Sequence, residues 1–117
     1  MVRGTRRFRL TGTGAFERVF RNGRRREGEF LQLVATMAER ECGRVGFVIG
    51  RKALPLAVDR NRVRRMLRVA LRQARPAIDR FDLIVRLKRG APRAEFPRIL
   101  REAAALLVAV ASEKAPR

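Results

Sequence analysis

Histidine, tryptophan and tyrosine are absent from this chain of 117 residues, and cysteine occurs once. Without histidine the commonest protein general acid and base is missing, so a histidine-paired nuclease and a zinc-histidine site are excluded. Cys42 has neither a disulfide partner nor an activating histidine, and reads as an incidental loop thiol of a reducing compartment. Acids are scarce as well: 11 Asp and Glu stand against 29 Lys and Arg. They are also scattered, with Glu39 and Glu41 in one turn and Asp79 and Asp82 around a strand start, whereas a two-metal nuclease needs clustered carboxylates. The chain is therefore expected to carry no catalytic residue and no metal ligands. Glycine-rich phosphate loops are missing too, since Gly12-Thr13-Gly14 follows no strand. The most apolar run, residues 103–111, is too short to cross a bilayer. The start lacks the apolar stretch of a signal peptide. It is Arg-rich and acid-poor like a transit peptide, but short and without Ser. The expectation is a soluble cytoplasmic protein.

What is abundant is arginine. A net charge of +18 and a pI near 12.0 point to a nucleic acid or an anionic surface as partner. Lysine appears only at Lys52, Lys88 and Lys114. Arginine offers a planar fork that fits phosphate and stacks on bases, although genomic base composition produces the same bias. The apolar share, 46%, is that of an ordinary globular protein, so the charge does not signify disorder. The length suits a single domain over residues 1–117.

The charge is densest from Asp59 to Arg75. Val63, Met66, Leu67, Ala70, Leu71 and Ala74 recur at the i, i+3, i+4, i+7 spacing of one helix face. Arg60, Arg64, Arg68 and Arg72 follow one another at i+4 beside Arg65 and Arg75, and are expected on the side away from that seam. Asp59 is the expected N-cap. Solvated helix faces usually mix signs, because like charges at i+4 destabilise a helix. Here no acid occurs between Arg60 and Arg75. An external polyanion relieves that repulsion.

Before this helix come a basic arm over residues 1–12 (Arg3, Arg6, Arg7, Arg9) and a helix over 14–21, with Thr13 as cap and Asn22-Gly23 as stop. Phe16, Val19 and Phe20 on so short a helix read, from the residues alone, as core. Arg24-Arg25-Arg26 reads as a basic turn. Residues 30–37 and 44–50 read as two strands of a hairpin. Gly46 and Gly50 leave one sheet face shallow enough for another backbone to approach. A loop with Arg51 and Lys52 leads into the central helix, which Pro76 closes. Residues 81–88 alternate as a third strand. A last helix over 95–111 tolerates Pro97 in its first turn and has a seam of Phe96, Ile99, Leu100, Ala103, Leu107 and Val110. Residues 112–117 form a tail. The order α-β-β-α-β-α describes an α+β sandwich with helices on one face of a sheet. Its second and third strands are parallel if adjacent.

The surface so assembled comprises the arm with Arg9, the Arg24–Arg26 turn, Arg51-Lys52 and the arginine helix. Phe16, Phe20, Phe30 and Phe47 are available for stacking. Phosphate contacts give salt-sensitive affinity without reading sequence, and aromatic faces suit unpaired bases, which favours RNA over duplex DNA.

The run Ala57-Val58-Asp59-Arg60-Asn61-Arg62-Val63-Arg64-Arg65-Met66-Leu67-Arg68 resembles the signature of the bacterial ribonuclease P protein family. Arg44-Val45-Gly46 leading to Gly50-Arg51-Lys52 resembles the strand and basic turn before that signature. Leu10, Phe16, Val19-Phe20 and Gly23 match the family's first helix in spacing, and the likeness covers residues 7–110. It implies the ribosomal-protein-S5-domain-2-like two-layer sandwich, in which the crossover carrying the basic helix is left-handed. General handedness rules lead to the opposite hand. The resemblance also implies a catalytic RNA partner that removes the 5′ leader from precursor tRNA using Mg²⁺, bound mainly by the RNA subunit and substrate. The protein, with no further protein partner required, holds the leader between its first helix and the sheet and raises affinity for substrate and metal. By position, Phe16 and Phe20 line that leader cleft, against their reading as core. Arg51, Lys52, Arg60, Asn61, Arg62, Arg64, Arg65 and Arg68 meet the catalytic RNA or the substrate near the cleavage site. One departure is in the first strand, where family members often carry Tyr and this chain has Leu33 and its neighbours. A ribosomal or other structural RNA-binding protein is the alternative that composition and arginine stripe fit equally well.

Overall fold

In the computed structural model, which describes residues 9–39 and 42–113, the chain runs α1 (Thr13–Asn22), β1 (Arg24–Glu27), β2 (Leu31–Met37), β3 (Val45–Val48), α2 (Ala57–Ala74), β4 (Phe81–Leu87), a 3-10 turn (Arg93–Glu95) and α3 (Phe96–Ala111). One mixed sheet has the order β1-β2-β4-β3. β2 is antiparallel to both β1 and β4, and β3 runs parallel to β4. The α+β class is the expected one, with one strand more than expected.

That extra strand is the arginine triplet. Arg24-Arg25-Arg26 is no turn: it pairs with Ala35, Val34 and Leu33 as the outer strand of a hairpin whose connection is residues 28–30. Charged side chains on an exposed edge also discourage pairing with another chain. The hairpin expected between β2 and β3 does not form, because β4 lies between them. Phe81, Leu83, Ile84, Val85 and Leu87 are all buried, and a strand apolar on both faces belongs in the middle of a sheet.

The helices occupy both faces, not one. On one face, Leu31, Leu33, Ala35, Leu83, Val85 and Leu87 meet the α2 seam (Val63, Leu67, Ala70, Leu71) and the α3 seam (Phe96, Ile99, Ala103, Leu107, Val110). On the other, Val34 and Ile84 meet Val19 of α1 and Leu10. The arm is thus part of the fold at its end: Leu10 is 2% exposed, its amide bonds Val45 at 2.9 Å, and Arg9 bridges the same residue. Its other arginines lie outside the described residues. The expected tail is tied down at its start as well, since Arg24 and Arg26 pair with Glu113.

Neither expected cap operates. Thr13 is already helical, and α1 starts after Gly12 without a side-chain cap. α2 starts at Ala57 after the extended Leu56, so Asp59 sits in the first turn, where its carboxylate favours the helix dipole and accepts Arg93 Nε at 2.7 Å. The stop at Gly23 is as expected: its amide bonds Val19 O at 2.8 Å, and a Cβ there would strike Val19 O and Val34.

A tie with no local sequence signal holds the β1–β2 hairpin to α3. Glu102 accepts the amides of Glu29 at 2.7 Å, Phe30 at 2.9 Å and Leu31 at 2.7 Å. Three consecutive N–H groups of a strand start are thereby satisfied by one charge. Glu102→Ala should lower the unfolding free energy by about 1.5–3 kcal/mol, since the amides are deprived of a charged acceptor. Urea unfolding tests this, with Glu102→Gln expected between the two.

Candidate RNA-binding surfaces

At about 100° per residue, Ala15 and Val19 share the underside of α1, Arg18 lies on one flank, and Phe16 and Phe20 lie on the other. Val19 is fully buried on the sheet. Arg18 reaches back to Asp82 at the start of β4. The opposite flank therefore faces the far half of the sheet. Phe16 there rests on Gly46, where a Cβ would collide with its ring. The shallow sheet face expected at Gly46 is thus filled by an aromatic edge, not by backbone. Phe20 is covered on one side by Arg25, whose guanidinium lies 5.9 Å from the ring centre and donates to Phe20 O at 3.1 Å. Both phenyl rings are only half-buried.

Strand register defines what lies in front of them. α1 sits over the row Arg25–Val34–Ile84–Gly46. Two residues further along each strand, about 6.6 Å away, the row Glu27–Gln32–Arg86–Val48 stays open. Glu27 and Arg86 are exposed, and Gln32 and Val48 are half-buried. Gln32 Nε2 donates to Glu27 at 2.6 Å and Lys88 Nζ does so at 2.8 Å; these bonds, Lys88 first, hold the Glu27 carboxyl below its ordinary range. The result is a cleft with an aromatic wall and a polar floor that crosses four strands, roughly 14 Å wide. Leu33 points into the opposite core and is buried, so it offers no stacking surface, and the neighbour that faces the cleft is Gln32. The sequence reading includes Arg25 in the surface only as part of a basic turn, and does not single out Gln32, Arg86 or Lys88. A signal is present in Gln32 and Arg86, which, with Thr36 and Asp82, interrupt otherwise apolar strands.

The arginine helix lies against the other face. Its i+4 row does not stay opposite the seam, since each step of four residues drifts by about 40°. Arg60 begins beside the core, and Nη1 donates to Leu54 O at 2.8 Å and Pro55 O at 2.9 Å, closing the loop before α2. Arg64 donates to Asn61 Oδ1 at 3.0 Å, and Arg68 lies 5.7 Å over Phe47. Arg62, Arg65 and Arg72 are exposed, as are Arg51 and Lys52 in the turn after β3. Arg75 belongs to the fold instead, bonding Asp79 and Gly43 O. With Arg9 on its outer edge and Arg68 over Phe47, β3 is the seam where arm, turn and stripe converge.

Of the four phenylalanines expected to stack, Phe30 is withdrawn. It is 1% exposed, with the guanidiniums of Arg89 and Arg98 4.6 and 5.2 Å from its ring centre.

Ion pairing separates the remaining charge. Glu113 takes Arg24 and Arg26, Glu29 takes Arg89 and Arg98, Glu27 takes Lys88, Asp59 takes Arg93 and Asp82 takes Arg18. Among the described residues no acid pairs with Arg51, Lys52, Arg62, Arg64, Arg65 or Arg68. Nor do three or more potential metal-ligating side chains stand together. No helix there is long and apolar enough to cross a membrane.

Residues 5–111 match the family model for ribonuclease P. The ribonuclease P protein component of Nitrosococcus oceani is 35% identical over 89 residues, 76% of this chain and 75% of that protein. That of Ralstonia pickettii is 37% identical over 111 residues, 89% and 79% of the two. A solved structure of the Staphylococcus aureus RNase P protein shares the fold with a TM-score of 0.72, at 17% identity over 90% of this chain and 95% of that one. Since the matched span takes in the cleft and the whole arginine helix, the chain belongs to the bacterial ribonuclease P protein family, the protein component of the ribonuclease P holoenzyme.

Proposed function

We propose that the two surfaces divide the work of the holoenzyme, the arginine surface meeting the ribonuclease P RNA and the cleft holding the 5′ leader of precursor tRNA. The observation that carries this is the segregation of charge. Internal acids neutralise Arg24 and Arg26 of the hairpin and every cation from Lys88 to Arg98, and leave Arg51, Lys52, Arg62, Arg64, Arg65 and Arg68 for an external polyanion. Arg9 extends that surface along β3. Asn61 and Arg60 contribute by fixing Arg64 and the approach loop, so their side chains are shared between fold and RNA. Phosphate contacts of this kind position an RNA without reading it. The leader, a single strand, suits half-buried phenyl rings above a polar floor. Such a subunit works in the cytoplasm, where precursor tRNA is made.

Replacing Arg64, Arg65 and Arg68 together by Ala should leave the core intact and weaken holoenzyme assembly. The slope of log K against log salt should flatten by about 0.7–0.9 for each phosphate that is no longer neutralised. An unchanged slope would mean that the stripe is only solvated.

Mg²⁺ remains with the RNA and the substrate in this reading, because the chain's described acids are dispersed into separate ion pairs. The protein's part is to neutralise phosphates that would otherwise need metal. Reconstituted cleavage of precursor tRNA should therefore need less Mg²⁺ with the protein than with RNA alone. Protein by itself should not cleave at any Mg²⁺ concentration, and RNase-free protein that cut at the correct position would overturn the division of labour.

A further inference from the structure

The flank of α1 turned away from the cleft carries Arg18, which meets the one buried carboxylate among the described core residues, Asp82 of β4. Asp82 is 1% exposed. It accepts Arg18 Nη2 through Oδ2 and the Arg44 amide through Oδ1 at 2.8 Å, so that α1, β4 and the start of β3 meet at one charge. Glu39 lies 3.8 Å from Arg18 Nε on the outer side. A buried ion pair is a poor device for stability alone, since an apolar pair of similar volume often serves as well or better. What an ion pair supplies and Val19 cannot is direction. The minor core under α1 is small: Leu10, Val19, Val34 and Ile84 are buried, and Ala15, Phe16, Phe20 and Val48 pack against them half-buried. Apolar packing of that size permits a short helix to roll about its axis. Arg18 and the two phenyl rings lie on opposite flanks, so a roll that draws Arg18 away from Asp82 shifts Phe16 on its Gly46 seat, carries Phe20 with it, and moves the aromatic wall relative to the floor.

We infer that Arg18 and Asp82 are positioning residues for the leader, a latch on the back of α1 that sets the height of the aromatic wall over the Gln32–Arg86 floor. The inference rests on the leader reading of the cleft.

The test uses holoenzyme reconstituted with the chain's cognate ribonuclease P RNA, and compares Arg18→Met/Asp82→Asn with the unaltered protein. Asn keeps an acceptor for the Arg44 amide, and Met keeps the bulk of the Arg18 stem. The readout is the ratio of affinities for precursor tRNA and mature tRNA, measured beside the unfolding midpoint. Ile99→Ala, in the opposite core, serves as a destabilised control. The latch predicts that the precursor advantage falls about ten-fold in the double variant, the worth of one stacked base. Mature tRNA and RNA-subunit affinities should hold, and Ile99→Ala should keep the full advantage. A double variant that retains the advantage overturns the latch while leaving the cleft standing. An equal fall in Ile99→Ala also overturns it, by showing that general loosening suffices. If the unaltered protein shows no precursor advantage, the leader reading itself fails.

Discussion

Asp82→Ala should lower the unfolding free energy by about 3–5 kcal/mol, because breaking a buried pair leaves its partner uncompensated. Arg18 is held on the flank of α1 by that carboxylate, and the Arg44 amide depends on the same group. Removing Asp82 leaves a backbone N–H without its acceptor and the half-buried Arg18 guanidinium with only Glu39, 3.8 Å from its Nε, and opens a gap at the start of β4. Asp82→Asn should cost less, since the amide oxygen still receives Arg44. Urea denaturation with an unchanged m-value would identify the effect as one of stability and not of altered denatured-state compactness. A decrease below about 1 kcal/mol, the range of an exposed ion pair, would show that water reaches the site.

The same residue illustrates what the sequence can and cannot disclose. Asp82 and Asp79 read as acids flanking a strand start, and nothing local distinguishes the one that pins a helix 64 positions away from the one that bonds Arg75 four positions back. Periodic features are legible: the seams of α2 and α3 lie where Val63, Leu67, Leu107 and their neighbours demand. β1 is not, because strand patterns are recognised by apolar alternation and three arginines have none. The β2–β4–β3 order is recoverable in principle. β4 carries apolar residues on both faces and so asks for two neighbours, whereas adjacency in the chain suggests a hairpin. Phe30 misleads because aromatic identity says nothing of the Arg89 and Arg98 guanidiniums beside it. The stripe is legible as a row of like charge, but its drift places Arg60 in the service of the loop.

Function follows from how these pieces divide space. Strand pairing forces Glu27, Gln32, Arg86 and Val48 into one row, and α1 carries Phe16 and Phe20 on the flank opposite Arg18, beside that row. α2 could not share that face, because its seam needs the larger apolar surface of Leu31, Leu33, Leu83 and Val85 on the other side. The two surfaces are therefore separated by the thickness of a sheet and joined along β3. In the proposed division of labour, substrate and RNA subunit would then not compete for the same arginines.

Phe16→Ala should weaken precursor tRNA binding by about 1–3 kcal/mol, the worth of one base stacked on an aromatic face, and leave mature tRNA binding unchanged. The residue is half-buried, with the ring's edge seated on Gly46. Its removal should thus cost less than the ~3–5 kcal/mol of a fully buried phenylalanine. Phe16→Leu separates the two contributions, since it refills the space over Gly46 and provides no ring. Stability should return in that variant, and leader affinity should not. Phe20 should respond less on both counts, because Arg25 already occupies part of its surface. Arg25→Ala should then weaken leader binding by removing a cation beside the stack. Equal weakening for precursor and mature tRNA, together with a large drop in melting temperature, would return both rings to the core and leave the cleft without its wall.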